Sequence, residues 1–177
     1  MSRRLQAALV ALALLPSLAG SAQLALPSSA PSRPAPGQEG PTPGSSLPTI
    51  EVVGLNGVDY TVDFPASGPT TVLLFFVTSC PVCKRMVPEW NKAFEAKAEG
   101  LKVLGVSMDK PAPGFFDVVR FSFPVVVTRQ PRQLARDVNL QHVPLAVRVG
   151  PGGKVEDVAA GEVPAERVQK LFAPPAR

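Results

Sequence analysis

Reactive and aromatic side chains are scarce in this chain of 177 residues, which has two cysteines, one histidine, one tryptophan and one tyrosine. A zinc site would need two ligands beyond the cysteines, and the single histidine, His142, supplies only one, so we expect no metal site of that kind. The net charge is only +4, and no basic stretch is interleaved with aromatic residues. This pattern argues against a nucleic-acid partner.

Proline, in contrast, is abundant, with 21 residues, many of them between Pro27 and Pro48. The apolar fraction of 45% is ordinary for a globular protein. The length suits one folded domain with additional sequence, and the chain contains no internal repeat.

The N-terminus has the layout of a secretory signal peptide. Arg3 and Arg4 precede an apolar run over residues 5–15, and small residues follow up to Ala22. We assign residues 1–22 to this signal, with an uncleaved membrane anchor as the alternative. Both interpretations predict export, to the periplasm or the outer face of the cytoplasmic membrane of a bacterium.

The next segment, residues 23–46, consists largely of Pro, Ser, Gly and Ala. Such a segment buries too little apolar surface to offset the entropy lost on ordering, so we predict a disordered linker. The folded domain is predicted to span residues 47–174.

Alternating and continuous apolar runs predict an α/β domain with a mixed sheet flanked by helices. The strands are predicted at residues 50–53, 60–62, 71–77, 101–108, 124–127, 145–149 and 154–159. Helices are predicted at residues 83–99, 112–120 and 131–138, and a last helix opens at Pro164. Asn56-Gly57 predicts a tight turn, so the first two strands should form an N-terminal β-hairpin. Pro88 lies inside the first helix and should kink it.

The two cysteines form the sequence Cys80-Pro81-Val82-Cys83 between a buried strand and the helix that follows it. At a helix N-terminus, unpaired N–H groups and the helix dipole stabilise a thiolate. Lys84 and Arg85 add positive charge. We therefore predict that Cys80 is the nucleophile in thiol–disulfide exchange and that Cys83 resolves the mixed disulfide. The redox group is this disulfide itself, and no other cofactor is predicted.

Other interpretations of the cysteine pair stay open. A purely structural disulfide would close a very short loop and stabilise the fold little. The two thiols could instead bind Cu(I), as in an exported metallochaperone. A peroxide-reducing cysteine would need a Pro-x-x-x-Thr-x-x-Cys pattern, but Thr78 is one position too close to Cys80 and Leu73 occupies the proline position.

Together with Val143-Pro144 before a late strand, this cysteine motif resembles the thioredoxin superfamily, in particular its exported branch of TlpA- and ResA-like thiol–disulfide oxidoreductases. The resemblance spans roughly residues 47–172. It implies a thioredoxin-like fold in which Pro144 follows a cis peptide bond beside the cysteines and contributes to catalysis. It also implies that an extended client segment pairs with the backbone there. Four residues are accordingly predicted to contact substrate: Pro81, Val82, Val143 and His142.

Some positions depart from the family pattern. Ser79 replaces a tryptophan, and Leu74 and Met86 replace the acids that assist proton transfer. Glu89 and Asp109 are the nearest candidates for that role.

The sequence thus predicts an exported protein-disulfide oxidoreductase. Its expected partners are cysteine-containing exported clients and a thiol donor or acceptor in the cell envelope. The resemblance favours a reductase, with cytochrome c maturation as one candidate pathway, and the N-terminal segment could tether it to the membrane.

Overall fold

A computed structural model describes residues 40–174. The predicted signal peptide or anchor at residues 1–22 and the linker up to residue 39 lie outside the described residues. Within residues 40–174, no helix is both long and apolar enough to span a membrane.

The final part of the predicted linker, residues 40–46, lies against the domain. Gly40 is buried, and the Gly44 N–H donates a hydrogen bond to the Val155 carbonyl at 2.8 Å. Backbone contact with the domain therefore begins ahead of residue 47, where the sequence places the domain boundary.

Seven strands form one mixed sheet within the described residues. They are β1 (Ile50–Gly54), β2 (Asp59–Val62), β3 (Thr71–Phe76), β4 (Lys102–Ser107), β5 (Val125–Val127), β6 (Leu145–Val149) and β7 (Val155–Ala160). Their order in space is β2-β1-β5-β4-β3-β6-β7. The three central strands β3, β4 and β5 are parallel, and β1 and β6 pair antiparallel to β5 and β3. The edge strands β2 and β7 pair antiparallel to β1 and β6. The predicted mixed sheet and N-terminal hairpin are confirmed.

Four helices accompany the sheet in this part of the chain: α1 (Pro81–Glu95), α2 (Phe115–Val118), α3 (Pro131–Asp137) and α4 (Ala165–Phe172). The predicted bounds of α1, residues 83–99, were wrong at both ends. The helix begins at Pro81 because proline suits the first helical position and the Cys80 side chain caps the turn. It ends at Glu95, four residues early, and continues through Pro88.

The predicted helix over residues 112–120 is reduced to the single turn of α2. Pro111 and Pro113 disfavour helical backbone in the residues that precede them. Gly114, the N-cap, has a φ of 77°, a conformation that suits glycine. The helix therefore cannot start before Phe115.

The central strand β3 positions the cysteine pair, which follows its C-terminal end. All six of its residues are buried, as predicted for a strand covered on both faces. Val72, Leu74 and Phe76 pack in the cluster that contains the buried residues of α1. Leu73 and Phe75 pack on the opposite face. Because both faces are packed, the exit point of β3, and with it Cys80, has little freedom to move.

Candidate active site

Cys80 is the N-cap residue of α1. Its backbone is extended, with φ of −76° and ψ of 116°, and its Sγ accepts a hydrogen bond from the Cys83 N–H at 3.2 Å. The first turn of α1 contains no acidic residue that would repel a thiolate. The side chain is partly exposed at the start of the helix, so the sulfur of another molecule can reach it.

Cys83 lies one turn further along α1 and is 1% exposed. Burial, followed by the hydrogen bond with Cys80 and the charge of Cys80, raises the pKa of the Cys83 thiol to about 12. Both cysteines are free thiols in this structure. The two sulfurs therefore differ in access, and Cys83 stays protonated at neutral pH.

The Val143-Pro144 peptide bond is cis, as the resemblance implied. Pro144 is buried directly before β6, and the Val143 carbonyl oxygen lies 4.0 Å from Cys80 Sγ, in the range of a weak S–H···O hydrogen bond. The structure thus brings Cys80, Cys83, Val143 and Pro144 to one place, although they are distant in sequence.

The other predicted contact residues surround this group less closely. Pro81 is exposed at the first position of α1, and Val82 is half-buried beside it. His142 is exposed in the loop before Val143. These positions are accessible to a client, and their predicted role in binding stays a prediction.

Asp109, a candidate proton-transfer acid from the sequence, is engaged elsewhere. Its carboxylate accepts hydrogen bonds from the Thr78 N–H at 2.9 Å and from the Thr78 hydroxyl at 2.7 Å. The Ser107 hydroxyl donates a further bond to it at 3.0 Å. Asp109 therefore ties the chain just before Cys80 to the end of β4. Sequence analysis missed this role, and the clustering of Thr, Ser and Asp at two strand ends was the available signal.

Glu89, the other candidate acid, lies six residues after Cys83 on α1. At 3.6 residues per turn, six residues correspond to about 240° around the helix. The two side chains therefore leave different faces of α1, and Glu89 is poorly placed to take a proton from Cys83.

The two basic residues after the cysteines, Lys84 and Arg85, each interact with another side chain. Arg85 forms two hydrogen bonds with Glu162, at 3.1 and 2.7 Å, and both side chains are exposed. This pairing also lowers the pKa of Glu162. Lys84 places its Nζ 6.0 Å from the centre of the Phe115 ring. The positive potential expected from these two residues is thus smaller than their formal charges suggest.

The described residues contain no group of three or more His, Cys, Asp or Glu side chains that could hold a metal ion. The chemistry that the site offers is that of two neighbouring thiols, one accessible and one buried. A mixed sheet with a dithiol at the start of its first long helix and a cis-proline beside it defines a thioredoxin-like protein.

The chain belongs to the AhpC/TSA family, whose model matches residues 43–155. Among curated proteins, it is 21% identical over 116 residues to sporulation thiol-disulfide oxidoreductase A of Bacillus subtilis, covering 62% of this chain and 70% of the relative. It is 24% identical over 109 residues to the thiol-disulfide oxidoreductase ResA of Halalkalibacterium halodurans, covering 59% of this chain and 61% of that relative.

Solved structures support the same fold. The thioredoxin domain of a thiol-disulfide oxidoreductase from Bacteroides vulgatus matches with a TM-score of 0.62 and 21% identity, covering 73% of this chain and 94% of that one. StoA from Bacillus subtilis matches with a TM-score of 0.59 and 18% identity, covering 73% and 98%. The predicted thioredoxin-like fold, the family resemblance and the thiol–disulfide oxidoreductase class are confirmed.

Proposed function

We propose that this protein reduces disulfides in exported client proteins through Cys80 and Cys83. The observation that carries the proposal is the asymmetry of the two sulfurs. Cys80 Sγ is accessible and accepts the Cys83 N–H, whereas the Cys83 thiol is buried and has a raised pKa.

In the first step, the Cys80 thiolate attacks one sulfur of a client disulfide. A bond forms between Cys80 and that sulfur, the client S–S bond breaks, and the second client sulfur leaves as a thiolate. The Val143 carbonyl lies beside Cys80. An extended client segment can therefore pair with the backbone at Val143 and Pro144 while its sulfur meets Cys80.

In the second step, Cys83 gives up its proton and attacks the Cys80 sulfur. The Cys80–Cys83 bond forms, the bond between Cys80 and the client sulfur breaks, and that sulfur leaves as a thiolate. Both client sulfurs are then reduced, and two electrons have moved to the client. Because no carboxylate contacts Cys83 in the described structure, the departing client thiolate is the proposed acceptor of its proton. An envelope thiol donor then returns the pair to the dithiol state.

The proposed direction of electron flow rests on the few hydrogen-bonding and charged groups around the two sulfurs. A strongly stabilised thiolate makes an oxidant, as in DsbA. Here one N–H caps Cys80, Arg85 is paired with Glu162, and burial opposes ionisation of Cys83. We expect a potential nearer that of thioredoxin, about −270 mV, than that of DsbA, about −120 mV.

The test combines a redox titration against glutathione with insulin reduction by the wild type, Cys80→Ser and Cys83→Ser. Loss of turnover in both variants is expected, together with a trapped client adduct in Cys83→Ser only. Equal turnover in the wild type and Cys80→Ser would contradict the proposed chemistry. A potential near that of DsbA would reverse the proposed direction.

Export and client class form the second part of the proposal. The signal-like residues 1–22 support delivery to the cell envelope, where disulfide-containing clients occur. Cytochrome c maturation is one candidate pathway. A fusion of residues 1–46 to a phosphatase that is active only outside the cytoplasm should be active, and an inactive fusion would remove this part of the proposal.

The alternative chemistries are tested with the same protein. The Thr78 hydroxyl donates to Asp109 rather than to Cys80, which disfavours a peroxide-reducing arrangement. Peroxide consumption at the rate of insulin reduction would nevertheless favour that activity. Tight Cu(I) binding by the dithiol without any disulfide exchange would favour a metallochaperone.

A further inference from the structure

A groove of about 780 Å³ lies between the N-terminal hairpin and β4. Its lining includes the hairpin residues Leu55 and Tyr60, the β4 residues Lys102 and Val103, and Lys97, which follows the end of α1. In the β3–β4 register, Lys102 pairs with Thr71 at the end of the sheet opposite to the one that Cys80 follows. The groove is therefore separate from the dithiol.

The groove exists because β5 is shorter than its neighbour. β4 has six residues and β5 has three, and their pairing begins with Gly105 opposite Val125. Residues 102–104 of β4 consequently have β3 on one side and no strand on the other. β1 does not flank these residues either, because it ends at Gly54, which pairs with Val126, the partner of Val106. Beyond that point the groove is bordered by the turn of the hairpin, at Leu55 and Asn56.

The backbone of Val103 faces this gap. The Gly105 N–H donates to the Pro124 carbonyl at 2.9 Å, and residues two apart in a strand direct their backbone groups to the same side. Val103 therefore directs its N–H and C=O towards the groove. Pro124 has no N–H to offer the Val103 carbonyl. Among residues 40–174, no backbone hydrogen bond is available to either group from a neighbouring strand.

Unpaired backbone groups at a sheet edge are a template for an added strand. The groove walls supply apolar contact, since Leu55 is 56% exposed and Tyr60 is 45% exposed. Its cationic groups, Lys97 and Lys102, outnumber the single acid Asp63 in the lining. An acidic occupant complements this charge, whereas a second copy of a chain with a net charge of +4 complements it less well.

We propose that the groove binds an extended segment of a partner protein, with alternating apolar residues and flanking acidic residues, as an added strand beside β4. Its backbone pairs with the N–H and C=O of Val103, its apolar side chains contact Leu55 and Tyr60, and its carboxylates lie near Lys102. The proposal does not depend on the dithiol chemistry, because the groove and Cys80 lie towards opposite ends of the sheet.

The probe is a synthetic blocked peptide of sequence Glu-Val-Thr-Val-Thr-Val-Glu, added to ¹⁵N-labelled full-length protein. We expect chemical-shift changes at Val103 and Leu55 and an exchange rate of the Val103 amide at least about tenfold slower at saturation. A peptide with proline in place of both threonines cannot donate the same bonds and should leave Val103 unchanged. The variant Cys80→Ser should bind the probe as the wild type does.

Three variants distinguish binding in the groove from nonspecific binding to the protein surface. Leu55→Ser and Lys102→Glu should each weaken binding by about fivefold, through lost apolar contact and reversed charge. Val58→Ser is the matched control, because Val58 is 51% exposed on the same hairpin but does not line the groove.

Two measurements on the free full-length protein complete the test. The Val103 amide should exchange rapidly at low and high protein concentration. Protection at low concentration would mean that the chain fills its own groove, and protection that grows with concentration would mean a second copy does. Either result would overturn the proposal, as would millimolar probe that leaves Val103 unshifted.

Discussion

Cys80 and Cys83 are one helical turn apart, yet their surroundings give them different chemistry. Cys80 occupies the N-cap position and is partly exposed, whereas Cys83 points into the core. In the proposed mechanism the accessible Cys80 attacks and the enclosed Cys83 resolves, so burial rather than residue type sets the order of the two steps.

The raised pKa of Cys83 makes the stability of the reduced protein depend on pH. Burial, with contributions from Cys80, raises this pKa from 9.0 to about 12. As the pH rises above 9, the unfolded chain loses the Cys83 proton before the folded chain does, so unfolding becomes more favourable. The stabilising contribution is complete below pH 9 and is lost progressively up to about pH 12.

Urea unfolding of the reduced protein at pH 7 and pH 10 measures this effect. The free energy of unfolding should fall by about 1 kcal/mol more in the wild type than in Cys83→Ala over this interval. The Cys83→Ala variant controls for lysine and tyrosine titration, and an identical fall in both proteins would contradict the prediction.

At the scale of elements, the ends of β3 and β4 are joined by the hydrogen bonds between Thr78 and Asp109. Thr78→Val removes the hydroxyl donor and keeps the backbone bond. We expect a loss of about 1–2 kcal/mol in the free energy of unfolding, because the pair is partly buried. The alkylation rate of Cys80 at pH 7 should also fall by about threefold as the capping geometry loosens.

Thr61→Val provides a matched control. The Thr61 hydroxyl also bonds a carboxylate, that of Glu51 at 3.1 Å, but on the exposed face of the hairpin. This substitution should change neither unfolding nor Cys80 alkylation. If Thr78→Val behaves like Thr61→Val, the bond to Asp109 does not position the cysteine.

A second tie between elements is formed by Arg148 of β6, whose side chain is 7% exposed. It donates to Glu156 of β7 at 2.8 Å and to the carbonyls of Leu171 and Ala173 at 2.6 and 2.7 Å. These carbonyls lie at the C-terminal end of α4, where the helix leaves acceptors unpaired. One guanidinium thus holds β6, β7 and α4 together.

Arg148→Ala should lower the free energy of unfolding by about 3 kcal/mol, because it leaves buried acceptors and a partly buried carboxylate without a partner. Thermal and urea unfolding measure this loss. Arg129→Ala breaks the exposed pair with Asp59, in which the side chains are 64% and 73% exposed, and should cost no more than about 0.5 kcal/mol. Equal losses would refute the role of Arg148.

At the scale of the whole molecule, residues 40–47 contact the domain through backbone hydrogen bonds and one buried side chain. The Leu47 N–H donates to the Gly153 carbonyl at 2.8 Å, and the Leu47 side chain is 6% exposed in the cluster below the sheet. Together with the Gly44 bond to Val155, these contacts attach residues 40–47 to the β6–β7 hairpin.

A chain that begins at Gly40 should therefore be more stable than one that begins at Thr49. The expected difference is about 2–4 kcal/mol, from one buried leucine and its backbone bonds. Urea unfolding of both truncated chains measures it. Equal stability would show that residues 40–48 are dispensable for folding of the domain.

Local sequence was sufficient for much of the fold. The five apolar residues of β3, the turn at Asn56-Gly57 and the proline at the start of α4 act through the backbone and side-chain preferences of neighbouring residues. The error over α2 arose because two prolines and Gly114 stop a helix that apolar spacing favours. The presence of each helix was predicted better than its ends, because a helix end depends on capping hydrogen bonds and not on the spacing of apolar residues.

The sequence by itself determined the dithiol, its place at a helix start and the family that both imply. The family resemblance implied that Val143 lies beside Cys80, and the structure supplied the distance. Only the tertiary structure decided that Cys83 is buried enough for its pKa to rise and that Asp109 accepts hydrogen bonds from Thr78. The physical reason is the separation along the sequence of the residues that interact. Helix and strand formation follow contacts a few residues apart, whereas burial and hydrogen-bond partners depend on which distant segments the sheet brings together.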